Sequence, residues 1–279
     1  AMKFAICNET FQDWPLEKAF AFAGECGYTG IEIAPFTIAR YATEITPAQR
    51  AELRRQAEAA GLEVVGLHWL LAKTEGFYLT SPDPDVRRRT AEYFGHLADL
   101  CVEIGGKVMV LGSPQQRNLL PGVTLEQATD YAIDVITRFL PHLERNAVVL
   151  AVEPLGPREG NFLVTTEEGV DLVNRIGSPH VRLHLDCKAM ATEITPIPQL
   201  IERYHALLAH FHANDANRQG PGFGELDFVP ILGALRRVGY NGWVSVEVFD
   251  YSPGVERLAR GCIAYLQECL ARLGNPPDG

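Results

Sequence analysis

The sequence predicts an α/β fold, a (β/α)8 TIM barrel forming a single domain over residues 1–279, and three observations predict it. Eight short apolar runs alternate with eight segments of helical periodicity, the runs starting roughly 27 to 43 residues apart. No linker or low-complexity stretch divides them, and the length suits one undivided barrel. Four successive runs end on a side chain that can ligate a metal, at the strand ends where a parallel barrel gathers its chemistry. The competing doubly wound sheet would carry a glycine-rich fingerprint after its first strand, and no GxGxxG follows Cys7.

In chain order, Lys3 to Cys7 is the first strand, and the helix from Leu16 to Cys26 stops at Gly27. Gly30 to Ala34 leads to a helix opened by Thr46 and Pro47, a capping threonine with proline at the first helical position, and closed at Gly61. Val64 to His68 is followed by a long loop, Trp69 to Asp83, and a helix from Asp85 to Ile104. Lys107 to Leu111 precedes a capping box, Thr124 with Gln127, on a helix running to Asn146. The run from Val148 ends in Glu153, and Thr165 with Glu168 predicts a second capping box. Val181 to Asp186 precedes a helix near Gln199 to Leu207, and Leu208 to His212 is the seventh strand. Asp227 opens a helix that Gly239 ends, Trp243 to Val248 is the eighth strand, and Pro253 starts a final helix reaching Leu273.

Composition narrows the partners. Lysine and arginine number 25 against 35 acids, a net charge of -10 that repels a phosphate backbone, so nucleic acid is not expected. No apolar run approaches the roughly 20 residues a bilayer demands, and the N-terminus lacks a charged segment followed by an apolar one. A cytoplasmic protein without a membrane partner is expected, and Ala1, ahead of Met2, is set aside as an addition. The six cysteines form no CxxC pair and read as reduced, buried fillers; Cys187 stands out only because it adjoins Asp186.

Glu153, Asp186, His212 and Glu247 end strands five to eight. Two glutamates, an aspartate and a histidine suit Mn2+, Mg2+ or Co2+, with Zn2+ also accommodated, and the missing thiolate argues against a structural zinc site. Any one of them has an ordinary reading as a cap, a core histidine or a solvated acid; four at equivalent strand ends do not share one. Period-two alternation sets His184, His210 and Ser245 on the same inward faces one layer below.

The segments EPLGPRE (153–159), HLDCKAM (184–190), FHANDANR (211–218) and VSVEVF (244–249), with GIEI (30–33) and GLHW (66–69), resemble the xylose isomerase-like TIM barrel superfamily. Within it they resemble the sugar isomerase and epimerase branch that holds the ketose 3-epimerases. The resemblance implies one divalent ion, Mn2+ first, held by Glu153, Asp186, His212 and Glu247, with Glu153 and Glu247 as the catalytic acid/base pair on opposite faces of a small carbohydrate. It implies substrate contacts from Glu159, Arg218 and His68, and a homo-oligomer, dimer or tetramer, is compatible with it. The chain departs from the 3-epimerase pattern at Ala189, where a substrate-binding histidine is expected and Lys188 stands beside it as a candidate substrate contact, and at Gly156-Pro157-Arg158, which replaces an asparagine-arginine pattern. These departures count against a free ketose as substrate.

The expected chemistry is proton transfer through a metal-stabilised enediolate of a keto-sugar or related polyol. The same parts would serve a lyase or dehydratase of a keto-inositol or 3-keto-glycoside, which is the alternative. An endonuclease IV-like nuclease would use His68 with the four ligands, but Gly112 and Ala189 stand where it needs histidine, and Val229 follows Asp227 where it needs another. A catalytically idle sugar-binding barrel would have no use for four aligned donors. The GPGFGE run, 220–225, is expected to be a lid or turn rather than a phosphate loop.

Overall fold

The computed structural model describes residues 2–275, so Ala1 lies outside it. Strands β1 (Lys3–Cys7), β2 (Gly30–Ile33), β3 (Glu63–Leu67), β4 (Val108–Leu111), β5 (Val149–Val152), β6 (Val181–Asp186), β7 (Leu208–Ala213) and β8 (Trp243–Val246) pair in sequence order, all parallel, into a closed barrel. Helices α1 (Leu16–Cys26), α2 (Pro47–Ala59), α3 (Pro84–Glu103), α4 (Leu125–Asn146), α5 (Thr166–Ile176), α6 (Cys187–Met190), α7 (Ile197–Tyr204), α8 (Phe228–Arg237) and α9 (Val255–Leu273) surround it. The single-turn α6 was not foreseen: Asp186 caps it by accepting from the Ala189 N–H at 2.8 Å, so the residue expected only to end a strand also starts a helix.

The expected caps form at α2 and α4, where Thr46 with Gln49 and Thr124 with Gln127 exchange both bonds of a capping box. At α5 half of the expected box forms. Thr165 accepts from the Glu168 N–H, but the Glu168 carboxylate accepts from Val164 N–H at 3.0 Å instead of reaching Thr165. In the long loop after β3, the aromatic side chains of Trp69, Phe77 and Tyr78 are partly buried. Phe77 stacks on Tyr93 with ring centroids 4.4 Å apart, the Tyr78 hydroxyl donates to Asn118 O at 2.7 Å, and Trp69 meets Phe249 edge-on. The 220–225 run is a turn fastened at both sides, with Leu226 N–H donating to the Asp215 carboxylate at 3.1 Å and Phe223 lying against Gly261.

Two register shifts decide what faces the barrel axis. Along β2 the partner on β3 jumps from Val64 to Gly66, and along β6 the partner on β7 jumps from Leu208 to His210. A bulge adds one residue and so resets the alternation of faces. It lets Val65 and Ala209 join an apolar plug with Ala5, Val108, Ala151 and Trp243. Above that plug the same strands turn polar residues inward, and Cys7, Glu32, His184, His210 and Ser245 are all buried. Gly66 is needed for the tight β3/β4 approach, because a Cβ there would lie 1.8 Å from Val108 O.

Strand ends fall one or two residues short of the expected limits at β3, β5 and β8, with a consequence for the site. His68, Glu153 and Glu247 lie one residue past their strands, yet each still donates its backbone N–H to the neighbouring strand: to Ile33 O (3.0 Å), Leu111 O (3.1 Å) and Ala213 O (3.2 Å). Their backbones are fixed by the sheet, while their side chains are free of it.

Candidate metal and acid/base site

One donor atom from each of Glu153, Asp186, His212 and Glu247 lies within 4.8 Å of every other, and all four residues are buried. The structure therefore brings together at the C-terminal mouth the four side chains singled out in the sequence. Asp186 and His212 are direct partners across β6 and β7, and His212 is opposite Ser245 on β8.

Each donor is held by a partner. Asp186 accepts from Asn214 Nδ2 (2.5 Å) and the Ala189 N–H, and Asn214 also reaches Glu247 at 3.3 Å. Glu247 faces His68 Nδ1 at 3.2 Å and His212 Nδ1 at 3.3 Å. His68 is pinned from behind by Glu9, whose carboxylate meets Nε2 at 2.8 Å. Arg117 is almost wholly buried and donates to Leu111 O, Glu153 O and Leu163 O, clamping the ends of β4 and β5 from which Glu153 projects. Gly112 gives Glu153 its room, since a Cβ at that position would lie 2.4 Å from Glu153 Oε2. A histidine there, as the nuclease reading requires, would displace that carboxylate.

The sequence reading missed Glu32. It is fully buried, with Oε1 2.5 Å from His210 Nε2 and Oε2 2.7 Å from His212 Nε2. An N–H on His212 Nε2 donating to Glu32 leaves the Nδ1 lone pair facing Glu247 and the other donors, and Nδ1 has no hydrogen-bond partner. The available signal was a carboxylate in the middle of GIEI, a strand buried on both faces.

An orphaned imidazole nitrogen beside three buried carboxylates fits a divalent cation. Burial and then the Glu247 and Asp186 carboxylates push Glu153 well above the usual carboxylate range. Burial works against ionised Glu247 too, but the His212 and His68 rings hold it well below that range. For His212, burial opposes the imidazolium, yet Glu247 and Glu32 keep its pKa well above that of an ordinary histidine. Cys7 lies 3.9 Å from His212 Nε2, but burial and the Glu32 charge push its thiol up to about 11, so it offers no thiolate. Burial and Asp186 likewise raise Cys187, an inert thiol.

The expected substrate contacts lie around this centre. Glu159 and Lys188 form a close ion pair, and Lys188, 3.9 Å from Asp186 Oδ2, is buried. Both nitrogens of His68 are engaged by carboxylates, although its ring lines the narrow cleft with Glu153 and Glu247. Arg218 is exposed, with left-handed φ of 72° and its guanidinium 5.4 Å from the Phe249 ring centre.

Two outcomes are expected here. Mn2+ or Co2+ at a hundredfold excess over Kd raises the melting temperature by about 5–10 °C, from about 2.7 kcal/mol of linkage spread over a domain of this size. The increment grows from pH 5.5 to 8. The raised His212 pKa gives the cation-free protein stability that is present below the unfolded value near 6.5 and lost as pH rises through the folded one, whereas ligation requires that proton to leave. A thermal-shift series whose increment shrinks with pH would contradict the assignment. Second, Gly112→Ala displaces only the far end of the Glu153 side chain. Its cation-free melting temperature stays within a few degrees of the parent while turnover falls by about tenfold or more.

A closed parallel barrel whose mouth gathers three carboxylates and a histidine around one point has the architecture of a barrel enzyme with a donor set suited to a divalent metal. The chain matches the xylose isomerase-like TIM barrel family over residues 20–269 and belongs to it. It is 31% identical over 262 residues to the D-psicose 3-epimerase of Enterocloster bolteae, covering 91% of this chain and 84% of that one. It is 20% identical over 278 residues to the fructoselysine 3-epimerase of Escherichia coli O157:H7, covering 97% of each. In fold it is similar to a D-psicose 3-epimerase crystallised in the presence of D-fructose (TM-score 0.86, 22% identity, 98% of this chain and 100% of that one). A 3-keto-D-glucoside 4-epimerase from E. coli is also similar (TM-score 0.82, 22% identity, 96% and 100%). The chain is thus an isomerase-class enzyme with epimerase relatives, as the sequence motifs implied.

Proposed function

We propose that the chain is a divalent-metal-dependent sugar epimerase, moving a proton on the carbon next to a ketone of a keto-sugar, with Glu153 and Glu247 as its acid/base pair. The observation that carries the reading is the convergence of two glutamates, with Asp186 and His212, on one buried point. A bound divalent cation polarises the carbonyl and makes its neighbouring C–H more acidic. Glu153, Asp186, His212 and Glu247 would hold it, with Mn2+ the preferred ion on the hardness of an oxygen-rich set.

Glu247, kept ionised by His212 and His68, is the base that removes the proton. Glu153, whose pKa burial and the Glu247 and Asp186 carboxylates raise, is the acid that returns one to the opposite face. His68 carries no proton to substrate in this scheme, since Glu9 and Glu247 occupy both its nitrogens; it orients Glu247. Glu159, Lys188 and Arg218 line the entrance and contact the sugar's hydroxyls. The relatives named above are epimerases, so elimination is not favoured. The net charge of -10 and the space filled at Gly112 speak against a nucleic-acid substrate. Among the described residues no helix is long and apolar enough to cross a membrane.

Loss of the C3 proton to D2O from D-psicose or D-fructose, followed by NMR with Mn2+ present, tests the reading. Exchange without metal, or from Glu247→Gln at the parent rate, would refute it.

A further inference from the structure

The mouth of the barrel carries a second cavity, of about 480 Å3, beside the narrow cleft that holds His68, Glu153 and Glu247. Leu155 and Glu159 line both, so the two spaces adjoin. Three cations, Arg158, Lys188 and Arg218, face this cavity against one carboxylate, Glu159. That balance is unusual for a chain of net charge -10. The larger cavity of about 800 Å3 between α4 and α5 shows the opposite, with Glu126, Glu167, Glu168 and Asp171 against Arg175 alone.

Lys188 is neutralised by Glu159, with which it makes a close ion pair. Both arginines are exposed, and among the described residues neither guanidinium makes a hydrogen bond or an ion pair, although the Arg218 charge adds to the Gln219 hydrogen bond in lowering the Asp250 pKa. Arg218 is also held in place. Its backbone adopts a left-handed conformation, and its carbonyl accepts from both Phe249 N–H (2.8 Å) and Asp250 N–H (2.9 Å). Phe249 receives Lys188 Nζ at 4.8 Å and the Arg218 guanidinium at 5.4 Å from its ring centre, so one aromatic ring helps to position both cations. A non-glycine residue kept in that backbone region is strain that surrounding contacts over-determine, as happens where a side chain must be aimed.

We propose that this cavity is a subsite for an anionic group, phosphate or carboxylate, at the end of the substrate remote from its ketone, with Arg158 and Arg218 as the binding pair and Lys188 as its floor. Two unpaired guanidinium forks offer planar, bidentate donors that suit both oxyanions. The proposal rests on the keto-sugar reading above and deepens it: the substrate is an acidic ketose, larger than a free one. Ala189 and Gly156-Pro157-Arg158, which depart from the ketose 3-epimerase pattern, lie beside or within this cavity.

The test uses the Mn2+-loaded enzyme at low salt and reads C–H exchange into D2O. D-fructose is the neutral ketose, D-fructose 6-phosphate the phosphate arm and 5-keto-D-gluconate the carboxylate arm. At least one acidic ketose is expected to exchange with kcat/KM at least tenfold above the neutral one, the advantage shrinking as salt rises. In the Arg158→Ala/Arg218→Ala double variant that ratio falls to near one. The arm that carries the preference identifies the anion. A neutral ketose exchanging as well as both acidic ones overturns the subsite and leaves the proposed function standing. If no sugar exchanges although Mn2+ raises the melting temperature, the proposed function falls, and calorimetry of the metal-free protein decides the subsite separately. Inorganic phosphate or malonate binding the parent at least tenfold tighter than the double variant supports it, and equal binding by the two proteins overturns it.

Discussion

Glu247→Gln is expected to lower turnover by about 10² or more at saturating Mn2+, because it removes the base while keeping the side chain's volume. The amide also presents a donor to partners that now face a carboxylate: His68 Nδ1 at 3.2 Å, His212 Nδ1 at 3.3 Å and Asn214 Nδ2 at 3.3 Å. At least one of these contacts becomes unfavourable, so the cation-free variant melts below the parent. Glu153→Gln makes the informative contrast. Burial and the neighbouring Glu247 and Asp186 carboxylates raise the Glu153 pKa, so its ionised form opposes folding at pH 7. Neutralising it should remove turnover to a similar extent and leave the cation-free melting temperature equal to or above the parent's. Turnover by Glu247→Gln at the parent rate, or a common shift of melting temperature in both variants, would break the assignment of unlike roles to the two glutamates.

The convergence of Glu153, Asp186, His212 and Glu247 was legible because each ends an apolar strand, and in a parallel barrel every such end points to one mouth. What the strand pattern did not disclose is how those side chains are held. Asn214 lies two residues beyond His212, inside a segment already singled out, yet its bond to Asp186 depends on the pairing of β6 with β7. Arg117 follows a proline-led turn after β4 and reads as a loop cation; only the folded chain wraps backbone carbonyls from Leu111, Glu153 and Leu163 around it. The register jumps at β3 and β7 were equally hidden, since a one-residue bulge leaves composition unchanged while switching the face that each later residue occupies. Helix ends were easier because caps are local: the Thr124 box formed as read, and the Thr46 cap formed with Gln49 completing a box. At Thr165 the box failed because the Glu168 carboxylate accepted from Val164 N–H, a donor one residue earlier than the box requires.

Glu32→Gln is expected to damage both stability and metal binding, although Glu32 touches no substrate. The Glu32 carboxylate collects His210 on one oxygen and His212 on the other, with His68 Nδ1 at 3.8 Å. Burial disfavours its charge, but the His212, His210 and His68 rings hold its pKa well below the usual range. Glutamine can accept from only one of the two histidines and turns a donor towards the other. Removing one partner of such a buried arrangement costs about 3–5 kcal/mol, a fall of about 6–20 °C in melting temperature for a domain of this size. If the amide donor faces His212, the ring proton moves to Nδ1, the nitrogen that must be bare to ligate, and Mn2+ affinity drops by about 10–100-fold. The sign with pH follows from the lowered pKa. The stability contributed by Glu32 is present above the unfolded carboxylate value near 4.3 and lost as pH falls through the folded one, so parent and variant converge in acid. Thermal melts from pH 8 down to about 2.5, well under the unfolded carboxylate value, paired with Mn2+ titration by electron paramagnetic resonance, check both parts. A variant that melts with the parent and binds Mn2+ equally well would mean that His212 is oriented by its strand alone.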